Sequence, residues 1–242
     1  MKNSISGLSC LLTGAGGGIG RTLAERLASK GVNMALCGRN AQKLDDVKAV
    51  CKKYGVKAVS LAGDLTDENY LANCVDKAYS ALGGLDILIN NAGQALSKPF
   101  ETVSLAEYDS IMDTNARAPF ILCQNAVKYL LKSKQATIIN ICSVGGHKGY
   151  ALQSVYTMSK HALLGMTRVI ANELYEKGVR VHAISPGGVY TDLIRIARPD
   201  LTDEGMITTD DIADIAEFLL EHRTNAVIDE VCLHRVAKAP FA

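Results

Sequence analysis

Short apolar runs alternate along the chain with longer stretches in which apolar residues recur every three or four positions. The short runs occupy residues 8–12, 32–37, 57–61, 86–89, 136–142, 179–184 and 227–233. Polar residues seldom interrupt them, as expected of strands buried on both faces of a parallel sheet. The longer patterns lie between them at 19–30, 42–53, 69–82, 105–131, 155–177 and 210–221. In the first of these, Ile19, Leu23 and Leu27 share one face of a helix. The alternation predicts an α/β fold: a doubly wound parallel sheet of about seven strands with helices on both faces, in three Rossmann-like layers.

No Pro/Ser/Gly-rich linker, internal repeat or low-complexity tract divides the chain, so residues 1–242 are expected to form one domain carrying every site. The longest irregular stretch is 186–208, after the sixth run. Ligands in such sheets lie beyond the carboxyl ends of the strands, which makes that stretch a flap over a site. Hydrophobic residues are 48% and charged residues 21% of the chain, enough for a large core. The net charge of +1 is spread without basic clusters, which argues against a nucleic-acid or anionic-membrane partner.

Cys10, Cys37, Cys51, Cys74, Cys123, Cys142 and Cys232 stand far apart, with no Cys-x-x-Cys and no His-x-x-x-His spacing. They read as small buried hydrophobes in a reducing compartment, and no metal site is expected. The apolar run near the N-terminus is too short for a signal-peptide core or a membrane span, so a cytoplasmic location is expected.

Candidate chemistry sits at two places. The first is the turn Thr13-Gly14-Ala15-Gly16-Gly17-Gly18-Ile19-Gly20, between a predicted strand and a predicted helix. Gly14 permits a tight turn, Gly18 lets backbone approach a phosphate, and Gly20 lets the helix pack closely on the sheet. The helix N-terminus then presents N–H groups and a positive dipole end to a pyrophosphate. The second is the pair Tyr156 and Lys160, four residues apart on one helical face and thirteen residues beyond Ser143. A free phenol has a pKa of about 10 and exchanges protons poorly at neutral pH. A neighbouring ammonium favours phenolate, which suits the pair to moving a proton on and off a carbon-bound oxygen. Alone, the spacing also fits an ordinary amphipathic helix, and its context decides.

Thr13-Gly-x-x-x-Gly-Ile-Gly20, Asn90-Asn91-Ala92-Gly93, Asn115, Ser143, Tyr156-x-x-x-Lys160 and Pro186-Gly187 follow the order and spacing of the short-chain dehydrogenase/reductase family, which the chain resembles from about residue 8 to residue 192. The resemblance implies an oxidoreductase that moves a hydride between a nicotinamide and a carbonyl or secondary alcohol. It implies Tyr156 as general acid and base, Ser143 as partner of the substrate oxygen, Lys160 on the tyrosine and the nicotinamide ribose, and Asn115 holding a water that links Lys160 to solvent. For the cofactor it implies Gly14, Gly18, Ile19 and Gly20 at the pyrophosphate and Asp64 and Leu65 at the adenine. Asn91, Ala92 and Gly93 would stand at the sheet centre, with Ile184, Pro186, Gly187 and Thr191 at the nicotinamide. The chemistry so implied requires no metal.

Cofactor preference turns on Cys37-Gly38-Arg39-Asn40. Gly38 stands where family members using NAD carry an acid, and Arg39 where those using NADP carry a base. A guanidinium suits a phosphate, so NADP(H) is expected, with NAD(H) possible. Gly17 stands where many NADP-dependent members have a second base, which weakens the discrimination. His147, in the loop after Ser143, reads equally as a pocket residue or a solvated histidine, and His161 as packed or solvent-facing; Arg195 and Arg198 read as surface charge ahead of partners for an anionic substrate, and Cys142 as core. The competing reading is a non-catalytic dinucleotide-sensing or scaffold protein of the same fold. A nucleotide-sugar epimerase or dehydratase is a third, and the short segment after Pro186 leaves it little room.

Helices 105–131 and 155–177 carry apolar residues on more than one side, and family members use this pair to form a two-fold dimer. A homo-oligomer is therefore expected, a dimer or a homotetramer. The last strand lacks the Asp-Gly-Gly that often follows it in the family's acyl-carrier-protein reductases, which counts against that substrate and against the usual tetramer contact.

Overall fold

Leu11 and Leu12 are adjacent and fully buried, yet they belong to two hydrophobic clusters on opposite faces of a sheet. That alternation along a strand buried on both sides organises the molecule. The computed structural model describes residues 3–197 and 202–238. Strands β1 (Ser9–Thr13), β2 (Asn33–Gly38), β3 (Ala58–Ala62), β4 (Ile87–Asn90), β5 (Thr137–Ile141), β6 (Arg180–Pro186) and β7 (Glu230–Leu233) form one sheet. Their order is β3-β2-β1-β4-β5-β6-β7, and every pairing is parallel.

Helices α1 (Gly18–Ser29), α2 (Ala41–Lys52) and α8 (Thr209–Glu221) cover one face, where Leu23, Leu27, Leu44, Val47, Ile212 and Ala216 meet Leu12, Leu36 and Ile89. Helices α3 (Glu68–Leu82), α5 (Ala118–Leu130) and α6 (Ser154–Leu174) cover the other, where Leu71, Val75, Leu122, Ala126 and Leu174 meet Leu11, Leu88 and Ile138. Each fully buried leucine contributes about 1.5–3 kcal/mol through the water it sheds. Arg26 of α1 ties the first layer across to Asp210, Asp214 and Glu217 of α8.

Local signals set the helix ends. The Asn40 side chain caps α2, and Asp67 caps α3, which stops at Gly83 with φ +82°. Ser104 with Glu107 opens α4 (Leu105–Met112), and Thr208 with Asp211 opens α8, each as a reciprocal capping box. Helix α1 starts after Gly17 with no side-chain cap.

Three features depart from the sequence pattern. The expected helix 105–131 is interrupted by a π-helical turn, Asp113–Arg117, between α4 and α5. Pro119 at the start of α5 has no N–H to give to the carbonyl of Asn115 four residues back, which opens the α ladder at that point. The last turn expected of helix 155–177 is a 3-10 turn, Tyr175–Lys177, closed by Gly178 at φ +80°. The flap is more ordered than expected: Val189 bridges Ile207, and α7 (Asp192–Ala197) lies inside it. Arg198 lies outside the described residues. Among those described, no helix is long and apolar enough to cross a membrane.

Candidate active site

The chain passes from β1 outward to β3 and then returns to the other side of β1 as β4, so the strand order reverses between β1 and β4. Such a switch point leaves a crevice at the carboxyl ends of the two strands. Thr13, the last residue of β1, fixes its rim: its Oγ1 accepts the backbone N–H groups of Asn91 and Ala92, each at 3.0 Å. The Asn91 side chain returns the contact, Nδ2 donating to the Thr13 carbonyl at 3.0 Å.

The glycine turn fills this rim with bare backbone. Gly14 has φ +67°, and a Cβ there would lie 2.9 Å from both Ala92 Cα and Asn91 Nδ2. A Cβ on Gly20 would overlap the Gly14 carbonyl, so the first turn of α1 lies against the end of β1. Gly18, at φ +50°, has Thr191 of the flap above it: a Cβ would come within 3.3 Å of Thr191 Cγ2. Ile19 is half-buried beside it. The uncapped N-terminus of α1 faces this turn, and backbone N–H groups free of side-chain caps suit an anion. The residues fit a dinucleotide pyrophosphate.

The other residues expected at the cofactor lie along the carboxyl edge of the sheet. Arg39 follows β2, is exposed, and makes no hydrogen bond or ion pair with a described residue. Beyond β3, Leu65 is buried, while Asp64 Oδ1 accepts from Thr66 N at 2.9 Å and Oγ1 at 3.0 Å. Asp64 therefore also builds its own turn. Pro186 ends β6, pairing in register with Leu233 and following the buried Ile184, and Gly187 N donates to the Leu233 carbonyl at 2.8 Å.

The second set of residues gathers beyond β4 and β5. Ser143 is 8% exposed, and its Oγ accepts the Gly145 N–H at 3.0 Å, which opens a short 3-10 turn, Val144–Gly146. Tyr156 stands in the first turn of α6 and Lys160 one turn later. Lys160 is 4% exposed; its Nζ donates to the Ile141 carbonyl at 2.9 Å and lies 5.9 Å from the centroid of the Tyr156 ring. Ser143 and Tyr156 flank one point, since a Cβ on Gly145 would be 3.4 Å from Ser143 Oγ and from Tyr156 Cε1.

Asn115 sits in the π-helical turn and is fully buried. Its Oδ1 accepts from Gln94 N at 2.7 Å, and its Nδ2 donates to the Gln94 carbonyl and to Ser159 Oγ, both at 2.9 Å. Ser159 Oγ in turn donates to the Tyr156 carbonyl at 2.7 Å. Gly93 completes the group: a Cβ would lie 3.5 Å from Asn115 Oδ1 and 3.7 Å from Lys160 Nζ. The fold thus brings together Asn115, Ser143, Tyr156 and Lys160, which the sequence separates by up to 45 residues. Gln94 and Ser159 escaped the sequence reading, because a backbone clamp and a relay hydroxyl leave no periodic signal. Thr13 was visible in the glycine motif, but not its role at the rim.

Six cysteines are buried as expected, and burial pushes the Cys142 thiol up to about 11 and the Cys123 thiol up to about 12. Cys232 departs from that expectation and is exposed. His147 is exposed, and its Nε2 pairs with Glu230 Oε1 at 2.6 Å. His161 is exposed on α6, with Nδ1 on the Thr157 carbonyl at 2.9 Å, and Arg195 is held by Tyr190 and Asp192 on the surface.

The model of the short chain dehydrogenase family matches residues 9–202, and the chain belongs to that family of oxidoreductases. It is 30% identical to the 3-oxoacyl-(acyl-carrier-protein) reductase of Aquifex aeolicus, with 96% of this chain and 97% of that one covered. It is 34% identical to the gluconate 5-dehydrogenase of Gluconobacter oxydans over 83% of this chain and 79% of the other. The crystal structure of a metagenomic short-chain oxidoreductase in complex with NADP superposes with a TM-score of 0.84 at 32% identity, covering 96% of this chain and 99% of that one.

Proposed function

We propose that the protein is an NADP(H)-preferring oxidoreductase that interconverts a small carbonyl compound and its secondary alcohol. The observation that carries the reading is the convergence of Lys160, Tyr156 and Ser143 on the crevice beside the glycine turn. The dinucleotide, when bound, supplies or accepts the hydride. Gly14, Gly18 and Gly20 with the N-terminus of α1 hold its pyrophosphate, Arg39 its 2′-phosphate, and Asp64 with Leu65 its adenine. Asn91, Ala92, Gly93, Pro186, Gly187 and Thr191 border the remainder. The free guanidinium of Arg39 and the NADP complex of the metagenomic relative both support NADP over NAD.

Within the chain, the Tyr156 hydroxyl donates a proton to the substrate oxygen in reduction and takes it back in oxidation. Ser143 Oγ donates a hydrogen bond to the same oxygen as negative charge builds there, so the two hydroxyls stabilise one developing oxyanion. The Lys160 ammonium stabilises the phenolate left behind. Asn115 holds the Gln94 backbone and Ser159, and so sets the start of α6 relative to β4.

The flap, with α7 inside it, suits a small substrate in an open pocket. The two named relatives act, by their names, on a 3-oxoacyl thioester and on gluconate, so both classes belong in the assay. Of the large apolar side chains of α5 and α6, Phe120, Met158 and Val169 reach the surface, 52%, 49% and 55% exposed, and support a dimer through these helices. Leu122, Leu163 and Leu164 of the same helices pack within the chain. A cytoplasmic homodimer or homotetramer is the corresponding assembly.

Loss of nicotinamide absorbance with NADPH and a panel of ketones, keto-sugar acids and 3-oxoacyl thioesters tests the reading. Tyr156→Phe should then reduce turnover by about 10²–10⁴-fold while NADPH still binds. Tight NADPH binding with no turnover on any compound would favour the dinucleotide-sensing protein instead. Full activity in Tyr156→Phe would remove the tyrosine from the mechanism.

A further inference from the structure

On the far side of the Ser143 loop, three side chains of metal-binding type meet. His147 closes the 3-10 turn that Ser143 opens, while Glu230 and Cys232 lie two residues apart on β7, on the same side of that strand. His147 Nε2 is 2.6 Å from Glu230 Oε1 and 3.7 Å from Cys232 Sγ, and Sγ is 3.6 Å from the same Oε1. No other such trio of histidine, cysteine and carboxylate groups occurs among the described residues.

We infer that His147, Glu230 and Cys232 form a binding site for one divalent transition-metal ion of the zinc class. A tetrahedral ion with bonds of about 2.3 Å to sulfur and about 2.0–2.1 Å to nitrogen and oxygen separates its sulfur from the other donors by roughly 3.5 Å. The two sulfur distances already match that separation. The nitrogen and oxygen, now sharing a hydrogen bond, need to part to about 3.3 Å, a small side-chain rotation. A mixed imidazole, carboxylate and thiolate set selects zinc, cobalt or nickel over magnesium or calcium, which take oxygen ligands.

The surroundings are those of a ligand set. Ser185 Oγ donates to Glu230 Oε1 at 2.5 Å, the kind of outer hydrogen bond that orients a ligating carboxylate. His147 and Cys232 reach the surface, so an ion can enter, and solvent completes the fourth position. Arg168 Nη2 stands 3.5 Å from Glu230 Oε2, but its side chain is 62% exposed and free to swing into water. On coordination the Cys232 thiol gives up its proton to solvent, with no oxidation or reduction. The ion would clip the loop of the candidate catalytic Ser143 to β7, which among the described residues is an edge strand paired with β6 alone.

The test uses the full chain, stripped with a chelator and dialysed, then titrated with Zn²⁺ by calorimetry. One equivalent should bind with micromolar or tighter affinity and raise the unfolding midpoint. Cys232→Ser and His147→Ala should each weaken binding at least tenfold and abolish that rise. With Co²⁺ in place of Zn²⁺, a thiolate-to-metal charge-transfer band should appear and vanish in Cys232→Ser, while the six buried cysteines remain. Circular dichroism checks that both variants fold. Failure of the parent protein to bind Zn²⁺ at tens of micromolar, or undiminished binding in both folded variants, overturns the site.

Discussion

Lys160 donates its ammonium proton to the Ile141 carbonyl at 2.9 Å, so a buried cation on α6 is tied to the last residue of β5. That bond links the candidate chemistry to the end of an interior strand, β5. Lys160→Ala should lower cofactor affinity and turnover together, since both proposed roles fall on this residue. It should also cost about 1–3 kcal/mol of stability, because the Ile141 carbonyl is left buried without its partner. Calorimetry with NADPH, steady-state kinetics and urea unfolding read the three effects. A variant with parental values in all of them would take Lys160 out of the site.

Arg39 follows β2 with its guanidinium exposed, at the expected place of the adenosine phosphate. Arg39→Ala should weaken NADPH binding by about 1–3 kcal/mol, the scale of a hydrogen bond to a charged group, and leave NADH nearly unchanged. Equal affinity of the parent protein for NADPH and NADH, measured by calorimetry, would rule out this discriminating role.

The glycines of the first turn should not respond alike. At Gly20 an added methyl overlaps the Gly14 carbonyl, whereas at Gly17 the backbone is extended (φ −175°) and nothing lies within 4 Å of an added Cβ. Gly20→Ala should displace α1 from β1, destabilise the fold by several kcal/mol or more, and abolish dinucleotide binding. Gly17→Ala should stay within about 0.5 kcal/mol of the parent in urea unfolding. Equal stability of the two variants would contradict the packing described for α1.

His182 is 2% exposed in β6, with Nδ1 on the Ile228 carbonyl at 2.6 Å, and burial holds its pKa below the ordinary 6.5. Between its folded value and 6.5 the unfolded chain takes up a proton that the folded chain refuses. Its contribution is therefore complete above pH 6.5 and is lost as pH falls. The urea midpoint should drop between about pH 7.5 and about pH 5.5 by more in the parent than in His182→Leu, which has nothing to titrate there. The same drop in both proteins would assign the acid sensitivity to other groups.

The strand and helix order was legible because local periodicity reports which side of an element is buried. The runs at 8–12 and 86–89 foretold β1 and β4 to within a residue at each end, and the glycine turn between β1 and α1 announced its geometry through residues that only a crowded rim requires. Tyr156 and Lys160 also came from the chain itself, since helical spacing fixes their mutual position wherever the helix lies. What periodicity cannot report is the element across the gap. The hold of Asn115 on Gln94 and Ser159 depends on a π-helical turn opened by Pro119 and on the packing of α6 beside it. The meeting of His147 with Glu230 and Cys232 joins positions 83 residues apart, and only the placement of β7 next to β6 brings it about. Cys232 differs from the six buried cysteines for the same reason: exposure is set by what covers a residue in three dimensions.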